Sequence, residues 1–327
     1  MRVMITGANG FIGRSLAMRL LAVGMLRGQP IDALLLLDQQ LIGFPENKRI
    51  RPYIGSVTDA SLLRRALADG IDIVFHLVSI PGSTAEADYD LGYEVNLGAS
   101  LELLQQLRNG ARPPRVVYAS SVAVYGSELR ARVDEGTEAS PLLSYASHKL
   151  MVETLLVDLT RRGDIDGIAL RLPGIVARPR GGNGLKSAFM SNLMHAFADG
   201  EPYVCPVSAE ATAWWMSARC CVDNLVHAAE LSALSLRVCQ LPVLHLSIKQ
   251  IVDSLSASFG GHRRGLIEYA PEPELERLFG RYPPLRAPQA KAQGFHHDGS
   301  ARALIRNALN LSNSRCALRS ATTIVGI

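Results

Sequence analysis

The feature that most constrains the fold is a glycine-spaced turn at the very start of the chain. An apolar run at residues 3–5 leads into TGANGFIG at residues 6–13, and apolar residues at helical spacing follow. In such a turn, Gly7 permits the tight bend, Gly10 lets the backbone approach a phosphate, and Gly13 allows close packing of helix on strand. Because the amino terminus of the helix then faces phosphate charge, this segment predicts a dinucleotide site. The predicted contacts are Gly7, Asn9, Gly10, Phe11, Ile12 and Gly13.

The first half of the chain alternates strand-like and helix-like segments. Residues 33–37 are all apolar, as in a central parallel strand that is covered on both faces. Strands that alternate with helices imply βαβ crossovers, so the pattern predicts an α/β fold with a doubly wound parallel sheet, the Rossmann arrangement. The predicted strands are 2–6, 33–38, 71–77, 115–119 and 167–172, and the predicted helices are 11–23, 91–107 and 145–161.

After Pro173 the alternation of strand-like and helix-like segments ends. A polar, glycine-rich loop at 178–184 precedes a predicted helix at 186–198, and another helix is predicted at 222–234. Residues 268–288 are rich in proline, with one short helical piece.

Two domains are expected from this change. The predicted domains are a dinucleotide-binding domain at 1–173 and a smaller C-terminal substrate-binding domain at 174–327, with 220–245 packing back on the first. The tail from residue 311 onward lacks an amphipathic pattern, and we expect it to be unstructured.

Composition excludes several classes of protein. Of the 327 residues, 48% are hydrophobic and 20% are charged, which fits a globular chain rather than a disordered one. The net charge is only +4, and the basic pairs Arg161-Arg162 and Arg263-Arg264 are short and lack interleaved aromatic residues. We therefore expect no nucleic-acid partner.

The cysteines and the apolar runs indicate the cellular compartment in which the protein is expected. The chain has five cysteines with no C-x-x-C spacing, so reduced thiols are expected and no metal site is predicted. The first residues enter a strand directly, which leaves no room for a signal peptide, and no apolar run is long enough to span a bilayer. These features predict a cytoplasmic protein without a membrane partner.

Asp38 ends the second predicted parallel strand and bears on the choice of dinucleotide. A carboxylate there can accept hydrogen bonds from the adenosine ribose hydroxyls and would repel a 2′-phosphate. Gln39 and Gln40 follow it rather than an arginine, so NAD is favoured over NADP. Further cofactor contacts are predicted at the ends of two later segments: Ser56 and Val57 near the adenine, and Leu77, Val78 and Ser79 beside the nicotinamide.

Tyr145 and Lys149 form a Tyr-x-x-x-Lys pair in a predicted helix. Four residues apart, they lie on one face. The ordinary pKa of tyrosine, about 10, makes it a poor base, but a neighbouring ammonium and a positive nicotinamide favour the phenolate. Lys149 can also hold the nicotinamide ribose, and Ser121, at the end of the preceding strand, can hydrogen-bond the reacting oxygen. Tyr145, Lys149 and Ser121 are therefore the predicted catalytic residues.

These motifs together resemble the extended short-chain dehydrogenase/reductase family, also known as the NAD-dependent epimerase/dehydratase family. The matching segments are TGANGFIG at 6–13, Asp38, FHLVS at 75–79, Asn96 in EVNLGAS, SSVAVYG at 120–126, YASHK at 145–149 and LRLPGIV at 170–176. The resemblance implies that tyrosine is the base and lysine its partner. It also implies cofactor contacts at Asn96, Pro173 and Ile175, and a homodimer built on the helices that contain Asn96 and Tyr145.

The second half departs from the nucleotide-sugar members of that family. Those members usually hold a diphosphate with an arginine five residues before the valine of a Val-Asp-Asp motif. Here the motif is Val222-Asp223-Asn224, Ser217 occupies that place, and the nearest arginine is Arg219. At the adenine contact, where the family often has an acid, the residue here is Ser56.

A branch of the family that oxidises small four-carbon sugar acids, the D-erythronate dehydrogenases, is more similar. The similar segments are GQPIDALLLLD at 28–38, RRGDIDGIALRLPGIVARP at 161–179, AFMSNL at 188–193, SARCCVDNLVHAA at 217–229 and AQGF at 292–295. Near Trp214 and Trp215, where that branch tends to carry basic or imidazole groups, this chain has Thr212, Ala213 and Met216.

Three functions are consistent with the sequence. The first is an NAD-dependent dehydrogenase that oxidises a hydroxyl of a small sugar acid, with Ser79, Ser121, Asn192 and Arg219 as candidate substrate contacts. Arg219 could equally form a surface or interdomain ion pair. The second is an NAD-dependent nucleotide-sugar epimerase or dehydratase, which the missing diphosphate arginine disfavours. The third is a non-catalytic NAD-sensing protein, which could dispense with the tyrosine or the lysine.

Overall fold

The computed structural model describes residues 1–110, 112–180, 186–233 and 235–311. The strands are β1 (Arg2–Thr6), β2 (Met25–Leu26), β3 (Gln29–Pro30), β4 (Ala33–Asp38), β5 (Ile50–Ile54), β6 (Ile73–His76), β7 (Arg115–Ser121), β8 (Asp166–Leu172), β9 (Gly174–Val176), β10 (Tyr203–Cys205), β11 (Thr212–Ser217), β12 (Val238–Gln240), β13 (Leu244–Ser247) and β14 (Ile267–Tyr269).

The helices are α1 (Phe11–Val23), α2 (Ala60–Leu67), α3 (Gly82–Ala87), α4 (Tyr89–Gly92), α5 (Ala99–Leu107), α6 (Ser144–Arg162), α7 (Phe189–Asp199), α8 (Ala218–Glu230), α9 (Ile248–Phe259), α10 (Pro273–Phe279), α11 (Pro288–Ala292) and α12 (Ala301–Ala308). A π-helical segment, Tyr93–Gly98, joins α4 to α5, and 3₁₀ turns occur at Val122–Tyr125, Lys186–Ala188 and Gly261–Leu266.

A seven-stranded parallel sheet forms the centre of the molecule, in the order β12-β8-β7-β6-β1-β4-β5. From β1, the chain builds outward through β4 and β5 on one side and through β6, β7, β8 and β12 on the other. The strand order therefore reverses at β1, which is the place where doubly wound sheets open a crevice at the carboxyl ends of their strands. The predicted fold class, a doubly wound α/β sheet, is confirmed.

Helices cover both faces of this sheet, which explains why its central strands β1, β4 and β6 are mostly apolar and buried. On one face α1 and α8 pack on the strands, and Leu16, Val222 and Leu225 join Val3 and Ile5 in a single buried cluster. On the other face, α2, α5 and α6 pack against the side chains that point the opposite way along the same strands. The segment after the first half thus contributes a helix, α8, and an edge strand, β12, to the central layer.

A smaller region stands beyond the carboxyl edge of the sheet. It contains a three-stranded sheet in the order β13-β11-β9 and a parallel pair, β10 and β14. Its own apolar cluster buries Trp215, Phe197 and Ile251 between α7, α9 and α12. The chain crosses into this region at β9, directly after Pro173, and residues 172–176 line the site described below.

Several predicted elements begin and end elsewhere in the structure. The predicted helix at 91–107 is three consecutive segments, α4, the π-helical turn and α5. The predicted helix at 222–234 begins four residues earlier, because the Ser217 side chain accepts the Cys220 amide hydrogen and caps α8. The predicted helix at 186–198 begins with a 3₁₀ turn, and the tail from 312 onward lies outside the described residues.

Candidate active site

A cleft of about 1190 Å³ runs along the carboxyl ends of β1, β4, β6 and β7, between the central sheet and the smaller region. It contains nearly all of the site residues predicted from the sequence. The predicted residues that line it are Gly7, Asn9, Gly10, Phe11, Ile12, Gly13, Asp38, Ser56, Val57, Leu77, Val78, Ser79, Ser121, Tyr145, Lys149, Pro173, Ile175 and Asn192.

The turn after β1 leaves room for a phosphate because its glycines have no side chains. Gly7 has φ +71°, and a Cβ there would lie 2.8 Å from the Val78 backbone. A Cβ at Gly13 would lie 2.0 Å from the Gly7 carbonyl oxygen, so helix and turn touch directly. Helix α1 begins without a capping side chain and without an acidic residue in its first turn. Its first N–H groups are therefore available to an anion, and the turn fits a pyrophosphate.

Asp38 lies at the adenosine end of the cleft. Its carboxylate accepts the Asn9 amide hydrogen at 2.8 Å and the Gln39 amide hydrogen at 2.7 Å. These bonds fix a negative group between the glycine turn and the end of β4, where it suits ribose hydroxyls and opposes a 2′-phosphate. Ser56, across the cleft wall, shares a hydrogen bond with the Thr58 hydroxyl at 2.8 Å.

Tyr145 lies in the first turn of α6 and faces the end of β7. A hydrogen bond from Ser121 to the phenol lowers the pKa of Tyr145, and so do the neighbouring Ser79 hydroxyl and the positive charge of Arg178, but burial outweighs them and raises the pKa above its ordinary value. The lowering predicted from the sequence depends on both the Lys149 ammonium and the positive nicotinamide of bound NAD, so it stays a prediction for the complex with NAD. The spacing of two residues on a helix does not reveal how much the surrounding protein desolvates them.

Lys149 lies one turn further along α6 and is buried. Its Nζ donates a hydrogen bond to the Ala119 carbonyl oxygen at 2.8 Å, and it stands over the Tyr118 and Tyr145 rings at 4.8 and 5.6 Å from their centres. Burial lowers the pKa of Lys149 to about 7, although the Glu153 carboxylate acts in the opposite direction. The lysine therefore titrates near neutral pH.

Asn96, a predicted cofactor contact, lies behind the cleft wall rather than in it. It is buried, and its Oδ1 accepts hydrogen bonds from the Ser79 hydroxyl at 3.0 Å and the Ile80 amide at 2.7 Å. Its amide nitrogen donates to the Ile80 carbonyl oxygen at 3.1 Å. The structure thus gives Asn96 a positioning task, since it fixes the segment that presents Ser79 to Tyr145.

Of the two predicted substrate residues in the second half of the chain, one lies in the cleft and the other does not. Asn192, on α7, lines the cleft. Arg219, in the first turn of α8, is exposed and is not among the described residues that line the cleft. The structure therefore does not bring Arg219 to the site. Ser217, which stands where nucleotide-sugar enzymes carry an arginine, is buried and donates to the Asp298 carboxylate at 2.6 Å.

Arg178 is a charged cleft residue that the sequence did not predict. It follows β9 in a segment predicted to be a polar loop, yet it lines the cleft, with its guanidinium 5.2 Å from the centre of the Phe11 ring. Its position two residues after β9, the first strand beyond the carboxyl edge of the central sheet, is the signal that could have identified it. Residues 181–184 of that predicted loop lie outside the described residues.

Within the described ranges, no three His, Cys, Asp or Glu side chains are grouped so that they could hold a metal ion. Across those same residues, none of the helices is long and apolar enough to cross a membrane.

Comparison with known proteins agrees with this geometry. The sequence matches the NAD dependent epimerase/dehydratase family over residues 3–235. It is 38% identical to a D-erythronate dehydrogenase from Cupriavidus necator, across 94% of this chain and 97% of that protein. It is 34% identical to a D-erythronate dehydrogenase from Haemophilus influenzae, across 94% and 98% of the two chains.

A solved structure is also similar along nearly the whole chain. The crystal structure of a nucleoside-diphosphate-sugar epimerase from Agrobacterium tumefaciens superposes with a TM-score of 0.89 at 30% identity, covering 95% of this chain and 94% of that chain. The family match spans the glycine turn, the Tyr145-Lys149 pair and the strands that carry them, and the cleft fits NAD. The chain therefore belongs to the NAD-dependent epimerase/dehydratase family and is an NAD-dependent dehydrogenase.

Proposed function

We propose that the protein oxidises a hydroxyl group of a small sugar acid of the D-erythronate type, with Tyr145 as the base. The observation that carries this proposal is the Tyr145 phenol, hydrogen-bonded by Ser121 beside Ser79 within the cleft, with the buried Lys149 ammonium over its ring. The two D-erythronate dehydrogenases, at 38% and 34% identity over 94% of the chain, support the substrate class.

In the proposed reaction, the Tyr145 phenolate takes the proton of the substrate hydroxyl. Ser121 and Ser79 hold that oxygen beside the phenol, and Lys149 favours the phenolate through its charge. NAD, held by the glycine turn and Asp38, supplies the hydride acceptor when it is bound. The carbon that bears the hydroxyl thereby becomes a carbonyl carbon, and Tyr145 passes its proton on toward solvent.

A nucleotide-sugar epimerase is the second candidate, because the solved epimerase structure superposes closely on this chain. Two features argue against it. Ser217 replaces the arginine that nucleotide-sugar enzymes use for the diphosphate, and its hydroxyl is already bonded to Asp298. An epimerase returns its hydride to the substrate and accumulates no NADH, so the two candidates differ in a directly measurable product.

The test is the absorbance of NADH when the purified protein and NAD are mixed with a panel of sugar acids and nucleotide sugars. D-erythronate and L-threonate represent the four-carbon acids, and UDP-glucose represents the nucleotide sugars. We expect NADH to accumulate with a four-carbon acid. Conversion of a nucleotide sugar without NADH would overturn the proposal in favour of the epimerase.

We also propose that the protein is a homodimer. Tyr89, Tyr93 and Met151 are about half exposed on α4, the adjoining π-helical turn and α6, although each is large and apolar. A second copy is the occupant that the family resemblance implies for this face. Light scattering after gel filtration should give the mass of two chains, and Met151→Glu should reduce it. A monomer at micromolar concentration would contradict the proposal.

The described cysteines support the expected cytoplasmic location. Cys205, Cys220, Cys221 and Cys239 are all buried free thiols. Buried reduced cysteines are typical of a reducing compartment.

A further inference from the structure

Four cationic side chains line the cleft: Lys149, Lys186, Arg277 and Arg178. The Lys149 ammonium donates a hydrogen bond to the Ala119 carbonyl oxygen, and Lys186 and Arg277 have an acidic neighbour. The Lys186 ammonium pairs with the Glu274 carboxylate at 2.7 Å. Arg277 is exposed on α10, where its charge acts on that same carboxylate. Among the described residues, the Arg178 guanidinium has neither a carboxylate partner nor a hydrogen-bond acceptor. It is the cleft cation whose charge is left unpaired.

The backbone around Arg178 is fixed. Ala177 has φ +57°, a conformation that a side chain other than glycine adopts only when the surroundings hold it there. The Arg178 amide donates to the Ser191 hydroxyl at 3.2 Å, and its carbonyl oxygen accepts from His195 Nε2 at 2.8 Å. Both partners are on α7. The smaller region therefore sets the direction in which Arg178 leaves β9.

The side chain reaches the place where chemistry is proposed. Its guanidinium stands over the ring of Phe11, the first residue of α1, and its charge acts on the Tyr145 phenol. Arg178 is half-buried, and burial lowers its pKa because an unpaired cation is less stable away from water. An anionic ligand would stabilise the charged guanidinium. A guanidinium binds a carboxylate with two parallel hydrogen bonds.

We propose that Arg178 binds the carboxylate of the sugar-acid substrate and is the residue that selects hydroxy acids over neutral polyols. This inference rests on the proposed function and deepens it. The anion on Arg178 could also come from the cofactor, whose pyrophosphate the neighbouring turn fits. The helix terminus of α1 already offers N–H groups to that phosphate, whereas the substrate side of the cleft has no other half-buried, unpaired cation among its described residues. We therefore assign Arg178 to the substrate.

The test compares Arg178→Gln and Arg178→Lys with the wild-type enzyme. We expect KM for D-erythronate to rise about 100-fold or more in Arg178→Gln, since a charged partner of the carboxylate is lost, and less in Arg178→Lys, which keeps a point charge. The dissociation constant for NAD, from tryptophan fluorescence, should stay within about threefold of wild type. Arg219→Gln removes an equal charge outside the cleft and should leave KM unchanged.

A binding measurement separates this inference from the proposed function. With NADH present, D-erythronate should raise the melting temperature of the wild type but not that of Arg178→Gln. Erythritol, its neutral analogue, should raise the melting temperature of either protein by less than D-erythronate raises that of the wild type. Such binding would support the inference even if no acid were oxidised. An unchanged KM for the acid in Arg178→Gln would overturn it. A loss of NAD affinity with acid binding intact would also overturn it and assign Arg178 to the cofactor phosphate.

Discussion

Lys149 stands over the Tyr145 ring at 5.6 Å from its centre while its Nζ donates to the Ala119 carbonyl oxygen at 2.8 Å. The ammonium is thereby tied to the carboxyl end of β7, which also carries Ser121. Helix α6 and strand β7 are joined at this point. The base, the residue that supports it and the hydroxyl that orients the substrate thus lie on two elements that pack against each other.

Ser121 should control the pH at which the enzyme becomes active. Burial raises the pKa of Tyr145, and the Ser121 hydroxyl counteracts this by stabilising the phenolate. Ser121→Ala should therefore move the ascending limb of log(kcat/KM) to higher pH and lower the rate at neutral pH. Ser258→Ala, on an exposed face of α9, is the matched control. An ascending limb that stays in place would show that Ser121 does not stabilise the phenolate.

Lys149 should make folding stability depend on pH in a defined window. Its pKa is about 7 in the folded protein against an ordinary value of 10.5, so between these values the unfolded chain binds a proton that the folded chain does not. Stability therefore rises with pH from about 7 to 10.5. In Lys149→Met this contribution should vanish. The melting temperature of the wild type, relative to that of the variant, should therefore rise as pH increases. Parallel curves would contradict this titration.

Gly13 should be required for both folding and cofactor binding. A Cβ there would lie 2.0 Å from the Gly7 carbonyl oxygen, which forces α1 away from the turn. We expect Gly13→Ala to cost about 1–3 kcal/mol in the free energy of unfolding and to weaken NAD binding measured by calorimetry. Gly261→Ala, where a Cβ would meet nothing within 4 Å, should do neither. Equal effects of the two substitutions would refute the packing argument.

Glu153 and Arg171 form an ion pair beneath the catalytic residues. The carboxylate and guanidinium are 2.7 Å apart, with only 2% and 12% of their side chains exposed. Removing one partner leaves a buried charge alone, so Glu153→Gln should lower the free energy of unfolding by about 3–5 kcal/mol. Asp158→Asn, which breaks the exposed pair with Arg161, should cost less than about 1 kcal/mol. Urea denaturation measures both, and similar values would contradict this difference.

The sequence predicted the dinucleotide half of the molecule well because its signals are local. The turn, the apolar strands and the helix at 11–23 each depend on neighbouring residues, and the helix has the predicted bounds. The helix at 91–107 was predicted as one element, since periodicity does not distinguish a π-helical turn from an α-helical one.

The substrate half was harder to predict because its geometry depends on contacts distant in sequence. Strands β9, β11 and β13 are short and come from three separated parts of the chain. The same limit explains why the sequence predicted Arg219 as a substrate contact and did not predict Arg178. A motif position drew attention to the first, while only the crossing from β8 to β9 directs the second into the cleft.

The most direct test of the central claim is the turnover of Tyr145→Phe with NAD and the best four-carbon acid. Phenylalanine keeps the ring over Lys149 and removes the proton acceptor. We expect kcat to fall by about 10²- to 10⁴-fold while the NAD dissociation constant stays within about threefold of wild type. Turnover at the wild-type rate would contradict the assignment of Tyr145 as the base and with it the proposed mechanism.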